Sequence, residues 1–292
     1  MKNINKKTLI LLFVLLALTF TPNVKVSATT DPQQIEILQQ EILVLQALVK
    51  NYNLRQDINA PSYIVENLSD GSIILQKDSE KSYSIASVTK LMNAVISLEN
   101  IDMAQSITLT DQMLTPLGQS PVLYSGLKIT AENLLKATLI QSANDAAQSL
   151  SYFLGNEKFI SLMNQKAKEL GMQNTAYYDV HGLNPANHST AGDLAKLVSY
   201  INQKHLKIWE TTKSNNFWLP NSAGMLLKFQ NVNNFYYLSD FVGGKTGYTP
   251  EAKQTFASVF NVNGKQIAIT LLYSENRMAD IFNILRQLKT KI

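Results

Sequence analysis

The spacing of apolar positions divides the chain into helical and extended stretches. Ile35, Leu38, Ile42, Leu45 and Val49 recur at alternating steps of three and four, with Ile37, Val44 and Leu48 on a flanking stripe. That pattern predicts a helix of about five turns. Two readings of it compete: a short coiled coil or spacer arm, with self-association through residues 33–50, and a helix packed on the following domain. Asn51 to Ala60 is polar and Pro61 follows, which predicts a boundary there. Ser62 to Asn67 and Ser72 to Gln76 read as strands joined around Asp70-Gly71, a dipeptide that tolerates the positive φ of a tight turn. The period then changes. Val88, Leu91, Val95 and Leu98 mark one helix face, and from Thr130 to about Gly171 the spacing stays helical, with breaks at Asn144-Asp145 and Gly155-Asn156. Residues 87–205 are thus predicted to be mainly helical. Strands return from Phe241, and Thr255 to Val262 and Gln266 to Tyr273 flank Asn263-Gly264, the strongest hairpin signal in the chain. A last helix carries Met278, Ile281, Phe282, Leu285 and Leu288 on one face. Strands, a helical insertion, strands and a closing helix predict an α+β fold: an antiparallel sheet flanked by helices, not a doubly wound parallel sheet.

The first residues change how charge is read. Lys2, Lys6 and Lys7 precede an apolar run from Thr8 to Phe20, and Val26-Ser27-Ala28 offers small residues to a signal peptidase. The expectation is export, with residues 1–28 as a cleaved signal, 29–58 as a helical spacer and 59–292 as the main domain. The alternative is retention by an uncleaved N-terminal anchor. The signal segment holds four lysines and no acid, so the remainder carries 22 bases against 22 acids. The high isoelectric point therefore belongs to the leader, and nucleic acid is not an expected partner. The chain has no cysteine. Disulfides, a lipid-modified cysteine anchor and thiolate metal sites are excluded, and core packing must hold the domain together.

Three short motifs carry the candidate chemistry: Ser87-Val88-Thr89-Lys90, Ser142-Ala143-Asn144 and Lys245-Thr246-Gly247. Each of the first two has decoys, since Ser125-Gly126-Leu127-Lys128 also fits S-x-x-K, and Ser214-Asn215-Asn216 and Ser274-Glu275-Asn276 also fit S-x-N. Only the ordered trio reads as one serine acyl-transfer site. Ser87 falls where a helix begins, at the positive end of its dipole, and Lys90 projects one turn on from the same side. A serine hydroxyl is a poor nucleophile until a base takes its proton. A lysine serves as that base only if burial or a second cation lowers its pKa, and Lys245 is the candidate second cation. Ser142, on a helix break, can pass a proton toward a leaving amine. Asn144 can hold both Lys90 and a substrate backbone group. Gly243, Gly244 and Gly247 would let an extended substrate pair with an edge strand.

These residues resemble the penicillin-recognising serine enzymes, specifically the D-alanyl-D-alanine carboxypeptidases among the low-molecular-weight penicillin-binding proteins. Further segments match in order: Ala86 to Met92, Gln141 to Ala147, Leu162-Met163-Asn164, Leu170-Gly171-Met172, His181-Gly182-Leu183, Asp193-Leu194-Ala195 and Gly244 to Thr249. The resemblance covers about residues 60–290. It implies the DD-peptidase/β-lactamase-like fold, peptidoglycan stem peptides as substrate and β-lactams as covalent inhibitors. By the same resemblance Ser87 attacks the carbonyl between two terminal D-alanines, Lys90 is the base and Ser142 relays the proton. Asn144 positions substrate, Lys245 tunes the site, Thr246 binds the terminal carboxylate, and the backbone N–H groups of Ser87 and Tyr248 hold the oxyanion. Two departures stand out. Some family members carry arginine in the middle of the stretch that is Asn231-Val232-Asn233 here, where it helps hold the substrate carboxylate. The family also often has glycine in place of Lys253.

Other readings carry less weight. His181, His188 and His205 lack the helical pairing of a zinc site, His188 and His205 are expected at the surface, and no glycine loop cradles phosphate, so neither metal nor cofactor is expected. Trp209 and Trp218 are expected in the core or a groove lining. A β-lactamase shares the trio but needs a deacylating glutamate, and the nearest one after S-x-N begins Glu157-Lys158-Phe159-Ile160-Ser161 instead. A D,D-endopeptidase cutting peptidoglycan crosslinks is a closer alternative to a carboxypeptidase. An alternative of another class is a non-catalytic wall-binding scaffold using the N-terminal helix.

Overall fold

The computed structural model describes residues 57–118, 120, 122–220 and 224–291. The expected signal peptide and the expected helix over 35–49 lie outside the described residues.

At the centre is a five-stranded antiparallel sheet. Its strands are β1 (Ser62–Asn67), β2 (Ile73–Lys77), β9 (Phe241–Thr249), β10 (Lys253–Val262) and β11 (Lys265–Ser274), in the order β2-β1-β11-β10-β9. Alternate residues of a strand face opposite sides, and here both sides are buried. On β10, Ala257 and Val259 join a core built mainly from helices, while Phe256 and Phe260 join a second core on the other face. This is why the inner strands read as nearly unbroken apolar runs. The second core is closed by the last helix (Arg277–Lys291), through Ile281, Ile284 and Leu288. Asn263 and Gly264 both adopt positive φ, 51° and 79°, as a two-residue hairpin between β10 and β11 requires.

Between β2 and β9 the chain forms the helical layer. β3 (Tyr83–Ser84) leads to a 3-10 turn at Ala86–Val88 and helix α1 (Thr89–Asn100). A long loop carrying the short strands β4 (Ser106–Thr108) and β5 (Lys128–Thr130) precedes α2 (Ala131–Lys136), which continues as a π-turn over Ala137–Gln141. Then come α3 (Asn144–Ser151) and α4 (Asn156–Glu169). Strand β6 (His188–Ser189) pairs with β3, and α5 (Ala191–Lys204) and α6 (Leu206–Lys213) complete the layer. Strands β7 (Asn216–Pro220) and β8 (Leu226–Gln230) form a separate hairpin before β9, and the C-terminal helix is α7.

Three expectations need correction. The helix break falls at Ser142-Ala143, and Asn144 and Asp145 already belong to α3. The stretch 87–205 is interrupted by long loops at 101–127 and 170–187, tied down by turns and side-chain hydrogen bonds that leave no periodicity. His205 is not simply a surface residue: its Nε2 lies 2.9 Å from Glu99 Oε1, and its side chain is only 16% exposed.

Candidate active site

The site forms where α1, the α2–α3 break and strand β9 meet. Ile85 donates its backbone N–H to the Asn187 carbonyl, and Ala86 takes a left-handed φ of 46°, so the chain turns sharply just before Ser87. Such conformations in non-glycine residues are held only by their surroundings. Ser87 then sits in the 3-10 turn that leads into α1, and Lys90 follows one turn later.

Lys90 is fully buried, and its Nζ has three partners: Asn144 Oδ1 at 2.6 Å, the His181 carbonyl at 2.7 Å and Ser87 Oγ at 2.9 Å. Burial pushes this lysine down to about 7, against the opposing pull of Asp179 and Asp145. Two of the three partners are pure acceptors and hold N–H bonds in either charge state. The remaining tetrahedral direction faces Ser87 Oγ, carrying a proton in the ammonium and a lone pair in the neutral amine. The arrangement is one in which a neutral Lys90 could accept the Ser87 proton.

Asn144 begins α3 and uses both ends of its amide, since Nδ2 donates to the Leu117 carbonyl at 2.5 Å. The loop that carries Leu117 is anchored further by Asp145, whose Oδ2 accepts from Ser120 N at 2.9 Å. Burial raises the pKa of Asp145, with the Ser120 and Ala146 N–H groups and Lys90 opposing. Ser142 ends the π-turn at φ 60°, ψ 28°, another left-handed non-glycine residue. Its side chain is half-buried and takes part in no hydrogen bond among the described residues, which leaves the hydroxyl open to a substrate.

Strand β9 supplies the opposite wall. Lys245 and Thr246 are buried, while Tyr248 is 64% exposed. Lys245 Nζ donates to the Thr246 carbonyl at 2.8 Å and not to Ser142. Its pKa lies well below the usual lysine value because of burial first, then the charges of Lys90 and Arg277. The repulsion expected between the two lysines is therefore present, with Asp179 and Asp145 favouring charge on Lys90 and Arg277 adding to the repulsion at Lys245. Gly247 approaches so closely that a Cβ there would lie 2.9 Å from both Ser87 N and Ile85 O. Thr255 Oγ1, on the neighbouring strand, donates to that same Ile85 carbonyl at 3.0 Å. The Ser87 backbone and the β9 backbone just before Tyr248 are thus pressed together where an oxyanion pocket is expected.

Four residues at the site lie outside the three motifs, and two of them, Arg277 and Asp179, lie outside every segment that carries the resemblance. Arg277, first in α7, donates from Nη1 to the Gly247 and Thr255 carbonyls, both at 3.0 Å, and is a half-buried guanidinium behind the β9 motif. Burial lowers it to about 10, which leaves it charged at neutral pH. His181 contributes its carbonyl, not its ring. Asp145 and Asp179 place negative charge around Lys90. The resemblance already places the His181-Gly182-Leu183 turn near the site, whereas only tertiary structure brings Arg277 of α7 and the Asp179 carboxylate to the motif residues. The decoys separate equally clearly: Ser125 and Lys128 are exposed, and Ser274 Oγ donates to Asp280 Oδ2 at 2.5 Å on the far side of the sheet.

Both departures now have a physical setting. Asn231 Nδ2 donates to the Thr212 and Ser214 carbonyls at 2.8 and 2.7 Å, and Asn233 Nδ2 donates to the Gly244 carbonyl at 3.1 Å. These bonds strap Val232 beside the start of the β9 motif with its side chain 48% exposed. Lys253 has φ 52°, the left-handed conformation that glycine adopts without strain.

A family model described as D-alanyl-D-alanine carboxypeptidase matches residues 49–275. A D-alanyl-D-alanine endopeptidase of Pseudomonas aeruginosa is 31% identical over 252 residues, covering 81% of this chain and 79% of the relative. A D-alanyl-D-alanine carboxypeptidase of Bacillus subtilis is 30% identical over 228 residues, covering 72% of this chain but only 56% of the relative's own length. Among solved structures, a D-alanyl-D-alanine carboxypeptidase from Mycobacterium tuberculosis aligns with a TM-score of 0.75 at 25% identity, over 81% of this chain and 92% of that one. A mutant of the Streptomyces K15 DD-transpeptidase aligns with a TM-score of 0.73 at 25% identity, over 81% and 99%. With the DD-peptidase fold, the three motifs on facing elements and a family match across most of its length, the chain belongs to the D-alanyl-D-alanine carboxypeptidase family of DD-peptidases.

Proposed function

We propose that this protein is an exported serine D,D-peptidase that removes the terminal D-alanine from peptidoglycan stem peptides through an acyl-enzyme on Ser87. The observation that carries the reading is the Lys90 Nζ to Ser87 Oγ distance of 2.9 Å, with the other two directions of that nitrogen occupied by Asn144 and His181. Neutral Lys90 takes the Ser87 proton as Oγ attacks the carbonyl carbon of the penultimate D-alanine. The Ser87 and Tyr248 backbone N–H groups receive the oxyanion, and losing one such donor typically costs about a hundredfold to a thousandfold in rate. The C–N bond breaks, the departing amine takes a proton through the Ser142 hydroxyl, and water then releases the acyl group. A β-lactam enters the same path and leaves a covalent adduct on Ser87.

A second reading, cleavage of D,D-crosslinks, is favoured by one residue. Val232 offers no charge to a free carboxylate, which leaves Thr246, Lys245 and the fixed charge of Arg277 behind the strand to attract it. Some relatives are described as carboxypeptidases and others as endopeptidases. The test is to incubate the chain lacking residues 1–28 and its Ser87→Ala variant with a pentapeptide ending in D-Ala-D-Ala and with a crosslinked muropeptide, following products by mass. Release of one D-alanine by the Ser87 form alone supports the carboxypeptidase, and crosslink cleavage alone supports the endopeptidase. Absence of both, with no β-lactam adduct, overturns the enzyme reading.

A further inference from the structure

Behind the general base lies a carboxylate that touches neither Ser87 nor Lys90 directly, yet organises what does. Asp179 Oδ1 accepts from Gly182 N at 2.6 Å, His181 N at 3.0 Å and Asn187 Nδ2 at 2.9 Å, and Oδ2 accepts from Asn184 N at 2.6 Å. His181 Nδ1, which accepts from Leu183 N at 3.3 Å, lies 3.2 Å from Oδ2. Three of these four donors are backbone N–H groups. Those donors lie in the turn whose His181 carbonyl holds Lys90 Nζ.

The same turn is keyed to the nucleophile at two more points. Gly182, at φ 91°, packs so tightly that a Cβ would overlap the Ala86 carbonyl and reach 3.0 Å from Ser87 N. The fully buried Asn187 donates from Nδ2 to Thr89 Oγ1 at 3.1 Å, and its Oδ1 accepts from Tyr178 N and Asp179 N. Movement of this turn would therefore shift the lysine's acceptor and the backbone before the attacking oxygen together.

Resting on the acyl-enzyme reading above, we propose that Asp179 is the positioning residue of the general base: its carboxylate locks the 179–187 turn so that the His181 carbonyl aims Lys90 Nζ at Ser87, and its fixed negative charge favours the protonated lysine. The groups that face Lys90 are Asp145 from α3, Asp179 from the turn and Lys245 from β9, with Arg277 of α7 beyond Lys245. Asp179 itself stays ionised. Burial acts to raise it, but the His181 ring and the Gly182 and Asn184 N–H groups more than offset that and hold it at about 2. Its charge is thus constant across the range in which Lys90 titrates. Removing it leaves Asp145 as the remaining anion, so Lys90 should lose its proton at lower pH.

The experiment uses the chain lacking residues 1–28, labelled with 13C at lysine Cε and titrated by NMR, with Lys90 and Lys245 assigned through Lys90→Met and Lys245→Met. Two neutral variants, Asp179→Asn and Asp179→Ser, each retain an acceptor oxygen, and Asp179→Glu retains the charge. The expected result is a Lys90 midpoint about one pH unit lower in the neutral variants and unchanged in Asp179→Glu. β-Lactam labelling of Ser87 should slow about tenfold to a hundredfold in the neutral variants, with its acid limb displaced in parallel. A merely structural role would lower the melting temperature and the labelling rate while leaving the Lys90 midpoint in place, and that result overturns the proposal. If the unsubstituted chain is not labelled at all, the acyl-enzyme reading fails, while the Lys90 titration still decides whether Asp179 governs the lysine.

Discussion

At the scale of single residues the site turns on where one proton resides. Lys90 and Lys245 are both buried, and burial and their mutual repulsion disfavour charge on each. Asp145 and Asp179 favour charge on Lys90, whereas Lys245 has Arg277 as a further repelling neighbour. With Lys90 lowered to about 7, its basic form grows in as pH rises through neutrality. β-Lactam acylation of Ser87, measured by mass against pH, is therefore expected to rise about tenfold per unit below pH 7 and to level off above it. A rate that falls as pH rises through 7 would show that Lys90 is not the base. Arg277→Leu removes the donor to the Gly247 and Thr255 carbonyls together with a fixed cation. It is expected to cost about 1–3 kcal/mol in stability and to raise KM for a free-carboxylate peptide more than it lowers kcat. An equal effect on crosslinked and free-carboxylate substrates would argue against a role for its charge in recognition. The three motifs were legible from sequence because each needs particular residue types at short spacing. Asp179 and Arg277 were not, because they work through contacts with chain that is far away in sequence.

At the scale of elements, tight turns set the relation between α1 and β9. Gly182→Ala places a methyl group against the Ala86 carbonyl at a φ that alanine resists. It is expected to cost roughly 3 kcal/mol or more, and the melting temperature and β-lactam labelling should both fall. Labelling at the original rate would mean that the turn and the nucleophile are independent. Lys253 is the opposite case. Its left-handed φ strains a lysine by about 1 kcal/mol, and its Nζ lies 3.5 Å from Glu275 Oε1, an exposed pair that contributes little. Lys253→Gly should hold or raise the melting temperature with unchanged labelling, and a fall of several degrees would show that the pair outweighs the strain. The β10–β11 hairpin was visible in advance because Asn263-Gly264 sits between alternating strands. The β7–β8 hairpin was not. Phe217 packs inward and stacks on Phe229 at 4.4 Å, but Trp218 between the inward Phe217 and Leu219 is apolar and 44% exposed, so the period of two disappears.

At the scale of the whole molecule the sheet serves two cores, and only one of them lines the site. Sequence pattern predicted an antiparallel sheet with a helical insertion, and the strand order agrees, but a pattern of apolar residues does not say which face of a doubly buried strand meets which helices. The structure separates them: the face with Ala257 and Val259 supports the helical layer and the motif residues, and the face with Phe256 and Phe260 meets α7. The second core is aromatic, with Phe235 stacked on Phe256 at 4.7 Å and Phe241 edge-on to Phe260 at 5.3 Å. Phe260 pairs across the sheet with Phe241, at the opposite end of β9 from Thr246-Gly247. Phe260→Ala should therefore cost about 3–5 kcal/mol of stability by leaving a cavity, read as a lower denaturant midpoint. The folded fraction should still acylate at close to the original rate. The physical reason is that the site is fixed locally, by the 3-10 turn wedged between Gly182 and Gly247, and the aromatic core holds the sheet that carries it. If acylation fell in step with stability even well below the unfolding transition, the two faces would have to act as one unit, with packing against α7 setting the position of Lys245 and Gly247.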